Sequence, residues 1–292
     1  MEEEIISQFK LSGQPLVEEF LTFVSNFENN LDDEDADEDA PFAQNDLLTR
    51  IGPKLDGGYV IDKRSILLTN TIITCGLNDD WEFEKSFLKS NKNCKVIAFD
   101  HTVDKEFWIK RFKKDIKHFF LLKKIRLRKI IGIFKYFDYI KFFKDNNKHN
   151  VIKIGTQNID YKEITISKIL ENQSNVILKI DIEGDEYKIL DEILNNSKKV
   201  ISLIIEFHNI HKNMDLIKNF IEHSKSLKLI HIHANNFAGK NDAGDPNVLE
   251  LTFVNINKTK IELVKTQKKY PLKNLDHKNT HRKDDFFLKF ND

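Results

Sequence analysis

Short runs of β-branched and aliphatic residues recur along most of the chain, separated by stretches with the spacing of amphipathic helices. Thr71–Cys75, Lys95–Phe99, Val151–Ile154, Val176–Ile180, Val200–Phe207 and Leu227–His233 read as strands. Val248–Asn255 alternates in the manner of a last strand, parallel or antiparallel. Helical spacing covers Trp81–Ser90, with Trp81, Phe83 and Phe87 apolar, and then Asp185–Leu194. A further helix runs to Ser226 from Asp215, a good N-cap. Strands alternating with helices predict an α/β protein, a mostly parallel sheet with helices on both faces. Ahead of it, Asp56-Gly57-Gly58 is strong turn chemistry and predicts a hairpin. Functionally, the exposed amides of that turn and Arg50 are placed to hold an anion or carboxylate.

Two segments depart from this rhythm. Pro15 opens a short helix bearing Leu16, Val17, Phe20, Leu21, Val24 and Phe27, and an acidic tract from Glu28 to Asp39 follows. The tract is too charged to pack and reads as a solvated linker. Residues 1–45 are therefore set apart from a main domain over 46–292. Between the second and third strands, Lys105–Asn150 holds an insertion in which basic residues outnumber acidic ones roughly four to one. Its length predicts two or more amphipathic helices rather than a loop. A lid, a dimer contact, a surface for phosphate-bearing partners or anionic lipid, and a plain solvated basic face are all compatible with that pattern.

Composition narrows the class. With 292 residues the chain is long enough for one large α/β domain with appendages. A formal net charge of +0 gives no global pointer to nucleic acid. Met1 is followed by Glu2, Glu3 and Glu4 instead of a secretory leader, and no apolar run approaches the roughly 20 residues of a membrane-spanning helix. Two cysteines, Cys75 and Cys94, make no disulfide framework. The expectation is a cytoplasmic protein without stable membrane insertion or nucleic-acid partner, with a homo-oligomer left open.

The chemistry concentrates at strand ends, where open α/β sheets bind ligands. The first strand ends in Gly76-Leu77-Asn78-Asp79-Asp80 and the second in Asp100, a spacing suited to a nucleoside whose ribose meets the carboxylate. The fourth ends in Asp181-Ile182-Glu183-Gly184-Asp185-Glu186, the fifth in Glu206-Phe207-His208, and the sixth in His231-Ile232-His233-Ala234-Asn235-Asn236. Residues two apart share a strand face, so carboxylates and imidazoles from neighbouring strand ends are expected to meet. Histidines with a carboxylate suit Fe(II) or Mn(II) better than Mg(II).

Three stretches together resemble the FkbM-type methyltransferases, in the branch associated with bacterial surface-polysaccharide and sugar modification. They are Arg50-Ile51-Gly52 with Asp56-Gly57-Gly58-Tyr59-Val60; Gly76–Glu84 leading to Phe99-Asp100-His101-Thr102; and Asp181–Glu186 with Glu206-Phe207-His208, His231–Asn236 and Pro246–Thr252. The resemblance covers about Arg50 to Val254. It implies a Rossmann-like class I methyltransferase fold with seven strands, the last antiparallel, and S-adenosyl-L-methionine as methyl donor. The cofactor-binding set it implies is Asp56, Gly58, Tyr59, Gly76, Asn78, Asp79, Asp100 and His101. Asp181 would stand between cofactor and acceptor. The first loop lacks the Gly-x-Gly spacing common in the wider class.

The expected reaction is O-methylation of a sugar hydroxyl, on a hexose or heptose unit, nucleotide-linked or not, in capsule or surface-polysaccharide biosynthesis. A divalent metal at Asp181, Glu206, His208 and His231 or His233 would lower the hydroxyl pKa, and a histidine outside the metal shell would take the proton. Asp181, His208 and His233 are the expected catalytic residues. The rival readings are a metal-dependent hydrolase or oxygenase using the same cluster, and a non-catalytic interaction protein.

Overall fold

Pro15–Asn29 (α1) buries Val17, Phe20, Leu21 and Val24 in the main apolar core. Its first turn is capped from far along the chain: Asp245 Oδ1 accepts from the Leu16 and Val17 amides at 2.9 and 3.2 Å. The computed structural model describes residues 15–29, 47–121, 127–262 and 269–289. Residues 30–46, which hold most of the acidic tract, lie outside them. Leu48–Ile51 (β1) and Tyr59–Asp62 (β2) form the expected antiparallel hairpin. Asp62 then caps Lys63–Leu68 (α2) by accepting from the Ser65 amide at 2.8 Å.

Thr71–Cys75 (β3), Glu82–Ser90 (α3) and Lys95–Phe99 (β4) follow the sequence reading closely. The insertion forms Lys105–Leu121 (α4) and Leu127–Phe142 (α5). An aromatic seam fastens it to the body. Trp81 meets Trp108, Tyr139 and Phe143 edge-on at ring separations of 6.1, 5.7 and 6.1 Å.

The third sheet strand is Lys148–Asn150 (β5), not Val151–Ile154. Lys153–Ile154 (β6) instead pairs with Glu163–Ile164 (β7) in a two-stranded ribbon. The apolar residues Ile152 and Ile154 thereby leave the sheet and line a cleft. Ile166–Leu170 (α6), Val176–Ile180 (β8), a 3₁₀ turn at Glu186–Ile189 and Leu190–Asn195 (α7) come next. Val200–His208 (β9) leads into Ile210–His223 (α8). Helical turns begin at Ile210, after Asn209 in a left-handed conformation (φ 52°), but the backbone leaves helical geometry at Asn213 (φ −131°, ψ 15°), so the uninterrupted run begins beside Asp215. Leu227–Ala234 (β10), Val248–Asn255 (β11) and Ile256–Thr259 (α9) precede a C-terminal segment, in which Lys269–Tyr270 (β12) pairs with Leu288–Lys289 (β13).

The fold is α/β and Rossmann-like. Its seven-stranded sheet runs in the order β10-β11-β9-β8-β3-β4-β5, parallel throughout except for β11, which is antiparallel to both neighbours. Every residue of β3, β8 and β11 is buried, as central strands covered on both faces require. From β3 the chain moves outward to β4 and β5, then returns to β8 on the other side. Strand order therefore reverses between β3 and β8, which is where such sheets open a crevice. Among the described residues no helix is long and apolar enough to cross a membrane.

Candidate functional site

Two clefts open at this reversal and share the lining residues Asn78, Asp181 and Glu183. The first, about 310 Å³, is lined by Gly76, Phe99, Asp100, His101 and Thr102 on one side and Ile152, Lys153 and Ile154 on the other. The second, about 330 Å³, has Asp56, Gly57 and Tyr59 from the hairpin, with Lys179, Glu206 and His208 from β8 and β9. Asn78, Glu183 and Asn209 follow the ends of β3, β8 and β9 and hold φ of 50°, 57° and 52°. Asparagine enters that region readily, so the strain falls on Glu183. Gly76 (φ +85°) belongs to the same turn. A Cβ there would lie 1.7 Å from the Asp181 carbonyl oxygen, so only glycine lets the β3 and β8 loops meet.

Asp100 staples the first loop. Its Oδ2 accepts from the Leu77 and Asn78 amides at 2.9 and 2.7 Å, and its Oδ1 from the Thr102 amide and hydroxyl at 2.8 and 2.6 Å. Burial raises its pKa, but these bonds, those from Thr102 foremost, outweigh burial and hold the carboxyl below its usual range. Four donors fill the four acceptor positions of a carboxylate. Any further donor to Asp100 would therefore have to displace one of these four.

In the second cleft, one ligand atom each from Asp181, Glu206 and His208 lie within 4.8 Å of one another. Glu186 orients the imidazole: its buried carboxylate sits 3.2 Å from His208 Nδ1, leaving Nε2 at 3.7 Å from Asp181 Oδ1. Burial lowers the His208 pKa, yet Glu186, then Asp181 and Glu183, carry it above the ordinary value. Glu206 accepts from the Tyr59 hydroxyl at 2.5 Å. Burial, with Asp181 and Glu250 close by, pushes the Glu206 carboxyl well up. Two carboxylates and one imidazole, with Lys179 lining the same cleft, are a donor set that fits a divalent cation.

His231 and His233 do not join this group. The sequence reading expected the ends of β9 and β10 to meet, whereas β11 lies between them, so Glu206 faces Glu250 and Glu250 faces His233. Two strand spacings, roughly 10 Å, separate β9 from β10. Both histidines are spent on other carboxylates. His231 Nε2 lies 2.9 Å from Asp276, and His233 pairs with Glu250 at 3.1 Å and faces Asp285 at 3.9 Å. Of the residues expected at the cofactor, Gly76, Asn78, Asp100 and His101 line the first cleft. Asp56 and Tyr59 line the second, and Gly58 is buried against Arg50 and Pro53. Asp79 lines neither: it pairs with Arg111 and Lys135 of the insertion. Arg50 donates to the carbonyls of Pro53 and Leu55 and so shapes the hairpin loop.

Sequence reasoning missed Glu186 and Lys179. Lys179 carries a signal, since a lysine inside the run Val-Ile-Leu-Lys-Ile is a charge in a strand buried on both faces. Glu186 is signalled only by its place at the end of the Asp181–Glu186 stretch.

No family model matches the chain, and neither does any curated protein. Solved structures are similar only distantly. A fibrillarin/Nop5p complex aligns over 64% of this chain and 73% of its own, at 6% identity and a TM-score of 0.35. The Methanococcus jannaschii fibrillarin pre-rRNA processing protein aligns over 71% and 88%, at 8% identity and 0.33. The precorrin-6y C5,15-methyltransferase of Geobacter metallireducens aligns over 65% and 83%, at 9% identity and 0.32.

Proposed function

We propose that this protein is an S-adenosylmethionine-dependent O-methyltransferase whose acceptor is a sugar hydroxyl. The observation that carries the reading is the pair of clefts with Asp181 in their common wall, at the point where strand order reverses. The first cleft has the size and lining for a nucleoside: Phe99, Ile152 and Ile154 are apolar flanks for a base, and Asp100 lies beside the sugar position. When bound, S-adenosylmethionine supplies a methyl group open to in-line displacement by an acceptor oxygen.

The chain's own residues align that oxygen and relieve it of its proton. Asp181 faces the acceptor from the shared wall. His208 Nε2, held by Glu186, is placed to accept the hydroxyl proton as the oxygen–carbon bond forms and the carbon–sulfur bond breaks. A divalent cation, with Fe(II) or Mn(II) preferred for the nitrogen donor, would be held by Asp181, Glu206 and His208; it would supply Lewis acidity toward the same oxygen in place of proton transfer to His208, whose Nε2 would then be a ligand. The hexose or heptose setting in surface polysaccharide rests on the sequence resemblance.

The test is transfer of labelled methyl from S-adenosylmethionine to a panel of sugars and nucleotide sugars, beside calorimetry with S-adenosylhomocysteine. Failure of the homocysteine product to bind sinks the methyltransferase reading. Full activity after thorough chelation removes the metal and leaves His208 as the base.

A further inference from the structure

Lys179 is a buried charge that the chemistry above does not use. It is 7% exposed and lines the second cleft. Among the described residues its ammonium makes no hydrogen bond or ion pair, and the Tyr59 ring lies 5.4 Å from Nζ. The titratable groups that act on it are the acids Glu84, Asp181, Glu206 and Asp80. Three ammonium protons without partners in a buried site are strongly unfavourable unless a ligand completes them.

The surroundings restrict what that ligand is. Lys179 is donor-only, while Asp181 and Glu206 line the same space with carboxyl oxygens that accept. A phosphate or carboxylate would meet the ammonium and be repelled by the acids. An amine would meet the acids and be repelled by the ammonium. A hydroxyl satisfies both, because its oxygen accepts from Nζ while its proton is donated to a carboxylate.

We propose that Lys179 binds the acceptor in the second cleft, and that this acceptor is a neutral polyol, a sugar ring with adjacent hydroxyls. One hydroxyl is held by Lys179 and its neighbour is presented to Asp181 and His208. The inference rests on the methyltransferase reading and narrows its acceptor: in a nucleotide-linked sugar, the diphosphate lies outside this cleft.

Saturation-transfer NMR on the full chain with S-adenosylhomocysteine tests it. The probes are methyl glucoside and methyl mannoside as neutral sugars, with methyl glucuronide and glucose phosphate as charged ones. The neutral glycosides are expected to give signal and the charged ones none. Lys179→Met should weaken glycoside binding about tenfold or more while homocysteine binding stays within about twofold. Equal binding of the charged probes, undiminished binding by Lys179→Met, or no glycoside binding would each overturn the proposal. Should that variant fail to fold, monodeoxy glycosides on the wild-type chain replace it. Loss of signal at one particular hydroxyl supports the proposal, and uniform tolerance overturns it. Absence of homocysteine binding by the wild type is a separate failure, that of the methyltransferase reading itself.

Discussion

One carboxylate oxygen of Glu186 reaches His208 twice, accepting from its backbone amide at 2.6 Å and lying 3.2 Å from ring Nδ1. The other oxygen accepts from the Gly184 amide at 2.8 Å. A fully buried acid thus ties the loop after β8 to the tip of β9 and fixes which imidazole nitrogen faces the cleft.

Glu186→Gln is expected to lower kcat about 10- to 100-fold while S-adenosylhomocysteine affinity stays within about twofold. Glu186→Ala leaves buried amides without an acceptor and should cost on the order of 3 kcal/mol of stability in chemical denaturation. Unchanged kcat in the Gln variant would remove the orienting role.

Gly76→Ala should separate the loops after β3 and β8. The new Cβ meets the Asp181 carbonyl oxygen, and the left-handed φ of +85° adds strain. A stability loss of at least about 2 kcal/mol and loss of S-adenosylhomocysteine binding by calorimetry are expected.

Asp100 and Thr102 should part company in a binding experiment. Asp100→Asn removes the charge that gathers the Leu77 and Asn78 amides, and should weaken S-adenosylhomocysteine about tenfold or more. Thr102→Val frees one acceptor position on Asp100, and affinity should stay within about threefold. Equal losses in both variants would mean that Thr102 itself contacts the ligand.

Metal affinity should follow the tertiary grouping rather than the count of histidines. In Mn(II) titrations, His208→Ala and Glu206→Gln are expected to lose about tenfold or more, while His231→Ala retains wild-type affinity. Loss in the His231 variant would place the ion elsewhere.

His233 sets a pH dependence of stability. Burial lowers its pKa, but Glu250 first, then Asp276 and Asp285, raise it from 6.5 to about 9. Its folded value lies above its unfolded one, so its contribution is fully present below pH 6.5 and is lost as pH rises through 9. Denaturation between pH 6.5 and 10 should show a loss on the order of 3 kcal/mol that His233→Gln largely flattens.

Much of the scaffold was legible because local pattern and tertiary environment agree. β3, β4, β8 and β11 occupy the ranges read from sequence: β3 and β8, buried on both faces, are announced by near-continuous apolar runs, and β11 by its alternation. Val151–Ile154 misled for the same reason: its apolar side chains are buried in part by a cleft wall, not by the sheet. Asp215 stands where the uninterrupted run of α8 begins, whereas the turns before it follow from how β9 ends.

Residue types and spacing established that acids and imidazoles cluster at strand tips, and they pointed to Asp181, Glu206 and His208 together with His231 and His233. Which of these meet was settled by the packing of the strands. Strand neighbours are set by long-range pairing, and the placement of β11 between β9 and β10 moved His231 and His233 out of reach. The same pairing set Glu186 behind His208 and turned the Lys179 ammonium into a cleft. Residue spacing fixes the face on which a side chain stands; it carries no information about which strand will lie beside it.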